Sequence, residues 1–513
     1  MEQIKGFFSR NWIIISISVI IFAIYTVCTV PGLSWVGYDC DLGDFLYAAK
    51  FATAVHFPGY PIYSMLSWFI MKIPIGAESW RLAFFLSTIP SVITCILVYL
   101  VVKKQTINKW APYVAILALA GANIFFMQCI VVEMYSMSAM FLVATYSCIV
   151  YKKYRIAAIF GGITCSMHWL AIPAIIFFMM WKKEFRSKWK YIISFFLVPY
   201  FYVLIIGIAH PSLSMINNGF WGFAQYIFGT ISDNMQWWLN IPIWQIPMKA
   251  LQTIALFCVA FGLALIPMIK YMIDWRISRV LLAALIIPFL YFFGCNASIT
   301  IHHLMIVTPF FAIAAGLGVS RMKRIHPSLI CLVSFVMLVT IPCFYNIGVN
   351  LDSGLSAQEV YNSFGNLSNK SIIVDMYELN DHGNISLGSI SGREATLLDM
   401  YNKESGRNIC MISIESYCNN NTIFGLGNIG GNYRTKIRSN YGIETPFIES
   451  NITVFNSSKG LPFSNSVTPE LINLYWDNVD LIAKANPNYT IYCTMVFADN
   501  PFGRRYIIYE SKK

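Results

Sequence analysis

Apolar positions in this chain come in continuous runs rather than in alternation. From residue 12 to residue 346, stretches of about 20 apolar residues, the length that crosses the hydrocarbon of a bilayer, are separated by short polar clusters. They predict crossings near 12–30, 81–102, 111–128, 133–151, 190–209, 249–273, 278–294, 299–319 and 327–346. The first run is long, and the Val30-Pro31-Gly32 behind it lacks a small-x-small cleavage pattern, so it reads as a retained helix.

Residues 156–181 are decided by charge. Lys152, Lys153 and Arg155 precede this apolar stretch, and Lys182, Lys183, Arg186, Lys188 and Lys190 follow it. Basic clusters belong on the cytoplasmic side. Both ends satisfy that rule only if the segment goes out and returns, so a hairpin turning near His168 is expected. About 11 crossings result, with the N-terminus cytoplasmic and the C-terminus outside. In this topology 19 basic residues fall on inner segments, against Lys50, Lys72, Arg81 and Lys249 on the outer ones before residue 350.

Two outer segments are long. Residues 31–80 form a first outer loop, with amphipathic stretches at 42–55 and 59–73 expected to lie along the membrane surface. Residues 210–248 carry Trp221, Trp237, Trp238 and Trp244; interfacial anchoring is the simplest use, and sugar or lipid binding the alternative. Near residue 350 the pattern changes to short alternating runs in polar sequence. Strands are predicted at Ser371–Met376, Ile409–Ile414, Ile452–Phe455, Tyr489–Val496 and Arg505–Tyr509, with a helix near Pro469–Ala485. The fold class is therefore a polytopic α-helical membrane protein (residues 1–349) with a C-terminal extracytoplasmic α/β soluble domain (residues 350–513).

Composition sharpens this. Hydrophobic residues make up 57% of the 513 and charged residues 12%, about half the charge of a soluble domain. A purely soluble enzyme and a disordered chain are excluded. The net charge of +11 is a topology signal, because the bases sit on the inner face. No basic run interleaved with aromatics supports nucleic-acid binding. The thirteen cysteines show no metal-ligand spacing; Cys410, Cys418 and Cys493 in the tail allow one disulfide.

Acids near a membrane are functional candidates by default. The outer face before residue 350 carries Asp39, Asp41, Asp44, Glu78, Glu133 and Asp233. Asp41 and Asp44, three apart at a helix start, share one face. Such a pair holds a proton at raised pKa or binds a divalent cation, the one cofactor left open; helix capping is the plainer use. Five of the seven histidines, His56, His168, His210, His302 and His303, fall on the same side, as do Arg81 and Glu133.

Asp41-Leu42-Gly43-Asp44, followed by His56-Phe57-Pro58-Gly59-Tyr60-Pro61, resembles a family of multi-spanning proteins with Asp-x-Gly-Glu and His-Pro-Pro-Gly-Tyr-Pro. That family includes the protein O-mannosyltransferase that modifies plexin-type receptors, and many microbial members. Trp80-Arg81-Leu82, Val132-Glu133-Met134-Tyr135 and Gly161–His168 match further family segments in order, over roughly residues 10–185. Asp44 stands where the family has glutamate, and Phe57 where it has proline.

The resemblance implies a GT-C-type fold and transfer of a mannose-like sugar from a polyprenyl- or dolichyl-phosphate carrier to a protein or glycan hydroxyl. The plasma membrane, or the endoplasmic reticulum in a eukaryote, is the implied location. Asp41 would be the base and Asp44 its orienting partner or a cation ligand. Arg81, His56 and His168 would meet the phosphate, Glu133 would bind sugar hydroxyls or buttress the base, and Tyr60, His302 and His303 would line the substrate site. A transporter and a membrane-anchored scaffold are the alternatives; the one-sided clustering of polar residues and the lack of an internal repeat speak for the enzyme.

Overall fold

The computed structural model describes residues 2–33, 42–52, 55, 60–209, 255, 258–273, 304–322, 325–351, 356–377, 392–418, 429–437, 451–454, 469–500 and 503–511. The predicted crossing at 278–294 and the tryptophan-rich segment 210–248 lie outside them. The chain divides into one unit of Met1–Gly32 with Gly37–Ile347, and a second of Leu33–Val36 with Gly348–Lys513.

The first unit is helical and wears its apolar side chains outward. Trp12 is 62% exposed and Val27 78%, and every exposed large hydrophobic residue among the described ones lies between Trp12 and Val339. Water would penalise such a surface; lipid does not. Three helices are long and apolar enough to cross a membrane: Asn11–Cys28, Glu78–Gln105 and Leu304–Arg321. Ala111–Ala120 and Asn123–Cys129 make a fourth span bent by 61°. Shorter apolar helices include Tyr135–Val150, Trp169–Trp181, Trp189–Ile205, Cys258–Ile273 and Pro327–Cys343. This is a polytopic helical membrane protein.

The segment from Tyr154 to Trp181 doubles back. Its first helix ends at Met167, a single 3₁₀ turn covers Trp169–Ala171, and a second helix runs Ile172–Trp181. His168 lies 5.2 Å from Tyr135 at one end of the Tyr135–Val150 helix. Trp181 lies 6.3 Å from Tyr146 near its other end. Those two tyrosines are separated by about 16 Å of helical rise, so the chain has returned along its neighbour. Gly161 opens the space, facing Ile175 and Phe185 of the returning limb.

The Glu78–Gln105 helix carries a single π turn, Phe84–Thr88. Pro90 explains its place: proline has no amide to give the carbonyl four residues back. Instead the Ile89 amide donates to Phe84, an i→i−5 bond that adds one residue to the turn.

The second unit holds a six-stranded sheet in the order β4-β3-β2-β1-β5-β6. The strands are β1 Ser371–Tyr377, β2 Cys410–Cys418, β3 Ile429–Ile437, β4 Asn451–Val454, β5 Thr490–Asn500 and β6 Gly503–Glu510. β1 is flanked in parallel by β2 and β5, and the outer pairs are antiparallel. Ile372, Ile373 and Val374 of β1 are all fully buried, as a strand covered on both faces requires. The Gly392–Ser405 helix links β1 to β2 and is pinned by Asn402, which bonds both the amide and the carbonyl of Ile409 at 3.0 and 2.8 Å.

One of the disulfide pairings open to the tail cysteines, Cys410 with Cys493, is ruled out within this sheet; the Cys418 side chain lies outside the described ones. Cys410 and Cys493 are both buried free thiols. Cys410 is in register with Ile372, and Cys493 with Val374, on opposite sides of β1. Two strand spacings amount to about 9.6 Å, beyond disulfide reach.

Candidate functional site

Two short helices follow the first membrane helix. Leu42–Phe51 buries Leu42, Gly43 and Phe45 through Ala49. Burial of these residues packs the helix against protein, its small residues Gly43, Ala48 and Ala49 leaving room for neighbours. Asp44 sits in its first turn, half-buried, where a carboxylate complements the positive end of the helix. Lys50, in the last turn, pairs with Glu78 at 2.5 Å, so these two charges meet each other.

The second helix, Pro61–Met71, is entered through Tyr60, whose φ of 36° and ψ of 57° lie in the left-handed region. For a bulky residue that conformation costs about 1–3 kcal/mol, and it persists only where the surroundings impose it. Here they do. The Tyr60 ring stacks on the His168 imidazole at 5.6 Å and 30°, and Phe45 lies 5.9 Å away on the neighbouring helix. Phe45 also meets Tyr63 edge-on at 5.0 Å. On the far side of the row, Tyr135 approaches His168 at 5.2 Å. Each such pair contributes roughly 0.5–1.5 kcal/mol beyond burial.

His168 is 6% exposed. Its Nδ1 accepts a hydrogen bond from the Leu170 amide at 3.1 Å. A nitrogen that accepts carries no proton, so this bond assigns the neutral ring's hydrogen to Nε2 and makes that atom a donor. Two residues before Tyr135 stands Glu133, 2% exposed, in the non-helical stretch between the Asn123–Cys129 and Tyr135–Val150 helices. The row Phe45–Tyr60–His168–Tyr135 therefore gathers the helix of Asp44, Tyr60, His168 and the Glu133 segment at one end of the helical unit. Asp41, His56, His302 and His303 lie outside the described residues.

Arg81, expected at the phosphate, bonds backbone carbonyls in this structure. The residue is 7% exposed, and its guanidinium donates to three backbone carbonyls: Nε to Ile75 at 2.8 Å, Nη1 to Met71 at 2.7 Å and Nη2 to Gly76 at 3.1 Å. It anchors the end of the Pro61–Met71 helix to the start of the long Glu78–Gln105 span. The helix that presents Tyr60 at one end is thus fixed by Arg81 at the other. Arg81→Ala should destabilise the protein by about 2–4 kcal/mol, since charged hydrogen bonds are lost and three carbonyls are orphaned. Arg81→Lys, with one point donor for a fork, should recover only part of this. Thermal unfolding in detergent measures both.

The sequence marked Tyr135 only as part of the Val132–Tyr135 motif and did not single out Phe45, Ser87 or Thr88. Pro90 inside an apolar run was the available signal for the last two.

No protein-family model matches the sequence, and the curated proteins provide no match. Among solved structures, the chain is similar to ArnT from Cupriavidus metallidurans bound to undecaprenyl phosphate, at 10% identity, 80% of this chain, 96% of that one and a TM-score of 0.48. The apo state of ArnT gives 9% identity over the same shares and a TM-score of 0.49. The archaeal oligosaccharyltransferase AglB from Archaeoglobus fulgidus, in complex with an inhibitory peptide and a dolichol-phosphate, is similar at 11% identity, 88% of this chain, 77% of that one and a TM-score of 0.41. At such identities none of these likenesses assigns a role to a residue of this chain.

Proposed function

We propose that this protein is a membrane glycosyltransferase that takes a sugar from a polyprenyl-phosphate carrier and passes it to an acceptor hydroxyl on the extracytoplasmic side. The observation that carries the reading is the aromatic row that brings together Asp44's helix, Tyr60, His168 and Glu133. These elements carry the motifs by which the sequence resembles the O-mannosyltransferase family. Carboxylates, an Nε2–H donor and aromatic faces are what a sugar phosphate requires: acceptors for hydroxyls, a donor for phosphate oxygen and flat surfaces for the ring.

In the step itself the acceptor oxygen attacks the anomeric carbon as its proton passes to Asp41. The bond from that carbon to the phosphate oxygen breaks, and its electron pair leaves with the polyprenyl phosphate. Asp44 orients Asp41 or shares a cation with it. His168 Nε2–H and His56 stabilise the charge growing on phosphate. Glu133 holds sugar hydroxyls. A lipid-borne donor suits a chain whose candidate groups gather at one end of membrane helices, because the sugar arrives already activated. The soluble unit and the site would face the same, extracytoplasmic compartment, the sugar would be mannose-like and the acceptor a protein hydroxyl.

The test offers membranes containing the protein a radiolabelled polyprenyl-phosphate hexose together with acceptor, beside an uptake assay with the free sugar in sealed vesicles. Label moving to acceptor supports the enzyme. Uptake without transfer replaces it with a transporter.

A further inference from the structure

Between Cys129 and Tyr135 the backbone of the helical unit leaves the helix, so its polar groups need partners from elsewhere in an apolar surrounding. Buried hydroxyls supply them. Ser87 Oγ donates to the Glu133 carbonyl at 3.1 Å, and Thr88 Oγ1 to the Cys129 carbonyl at 2.9 Å. Ser136 Oγ donates to Gln128 at 2.8 Å, and the Val30 amide to Ile130 at 3.0 Å. Thr29 Oγ1 lies 2.8 Å from Thr88 Oγ1 and 2.9 Å from the Tyr25 carbonyl. Ser87, Thr88 and Ser136 are fully buried, and Thr29 is 3% exposed.

Ser87 and Thr88 close the π turn. The extra residue in that turn brings two adjacent hydroxyls onto carbonyls four positions apart in the facing segment. Thr29 and Val30 directly follow the first membrane helix and precede, in sequence, Asp41 and the Leu42–Phe51 helix that carries Asp44.

We propose that Ser87, Thr88 and Thr29 are positioning residues for Glu133: the π turn and the end of the first membrane helix clamp the 129–133 backbone and so fix the carboxylate that receives the donor sugar. The proposal rests on the reading of Glu133 as a sugar-binding group. The Val30 segment that bonds Ile130 also precedes Asp41 by eleven residues in sequence.

The test combines Thr88→Val, which keeps the shape and removes the hydroxyl, with Thr88→Ser, Ser87→Ala and Glu133→Gln in the full chain in detergent. Amide hydrogen exchange across residues 129–134 should speed up by about tenfold in Thr88→Val and Ser87→Ala, the value of one hydrogen bond, and stay near wild type in Thr88→Ser. With a polyprenyl-phosphate hexose donor, Thr88→Val should raise KM about tenfold. Added to Glu133→Gln it should cost little more, because both changes act on one group. Unchanged exchange in both Thr88→Val and Ser87→Ala overturns the clamp. So do multiplying effects in the double variant, or a Thr88→Ser that behaves like Thr88→Val. Absence of transfer by the wild type removes the functional reading alone, and the exchange rates still decide whether the clamp exists. Should Thr88→Val fail to fold, Ser87→Ala and Thr88→Ser carry the comparison.

Discussion

Asp41→Asn is expected to lower sugar transfer by about 100- to 10,000-fold, the usual contribution of a general base, with expression and membrane insertion intact. Asparagine keeps the size and hydrogen-bonding reach of aspartate but accepts no proton at neutral pH. The acceptor hydroxyl would then have to attack with its proton still attached. Asp44→Asn should cost less. Asp44 stands in the first turn of the Leu42–Phe51 helix, three residues after Asp41 in sequence, and in the proposed mechanism it would act on Asp41 or on a cation and not on the hydroxyl. The two variants therefore separate base from helper. Transfer is measured from a labelled polyprenyl-phosphate hexose in membranes holding equal amounts of each protein. An Asp41→Asn protein with full activity removes Asp41 from the mechanism. An Asp44→Asn loss larger than that of Asp41→Asn exchanges their roles.

Much of the helical unit was legible because bilayer thickness sets a length that sequence must meet. Glu78–Gln105 and Tyr135–Val150 coincide closely with apolar runs bounded by charge. The reversal at His168 was legible from basic clusters at both ends of one segment. In the second unit the strands β1, β2, β4, β5 and β6 showed as short apolar runs. β3 did not: Ile429–Ile437 contains Gly430, Gly431 and Asn432, residues of poor strand propensity, and it is held by its ladders to β2 and β4.

The helices Ser356–Ser363 and Gly392–Ser405 were also missed. In Gly392–Ser405 the buried apolar positions include Leu397, Leu398 and Met400, too few for a clear stripe in isolation. At the site, titratable residues could be named but not their use. Arg81 looks like a phosphate ligand in sequence because charge is visible there, whereas the carbonyls of Met71, Ile75 and Gly76 that surround it are a product of folding. Ser87 and Thr88 look like ordinary helix residues, and only the shift to i→i−5 bonding shows which carbonyls they reach.

Gly162→Ala should be severely damaging and Gly161→Ala nearly silent, although the two glycines are adjacent in one helix. A methyl group on Gly161 would meet the side-chain tips of Ile175 and Phe185 at 3.5 Å, ordinary contact. There the higher helix propensity of alanine, worth up to about 1 kcal/mol, offsets any crowding. A methyl on Gly162 would stand 2.5 Å from the carbonyl oxygen of Ile192 and 2.7 Å from Cβ of Phe195. Neither obstacle is the free end of a side chain, so the Trp189–Leu197 helix itself must back away. Overpacking of this kind costs about 1–3 kcal/mol. The cost extends to function, because the same Tyr154–Met167 helix delivers His168 less than two turns further on. The separation is shared between the two helices, so the Tyr154–Met167 helix shifts too, the imidazole slides off the Tyr60 and Tyr135 rings, and Tyr60 loses the contact that holds its left-handed backbone. Gly162→Ala should therefore lower both the unfolding temperature and transfer activity, while Gly161→Ala changes neither by more than a small margin. Thermal unfolding in detergent and the transfer assay measure the two together. Equal tolerance at both positions would mean that the two helices do not approach this closely, and that His168 is held in place by something other than the packing at Gly162.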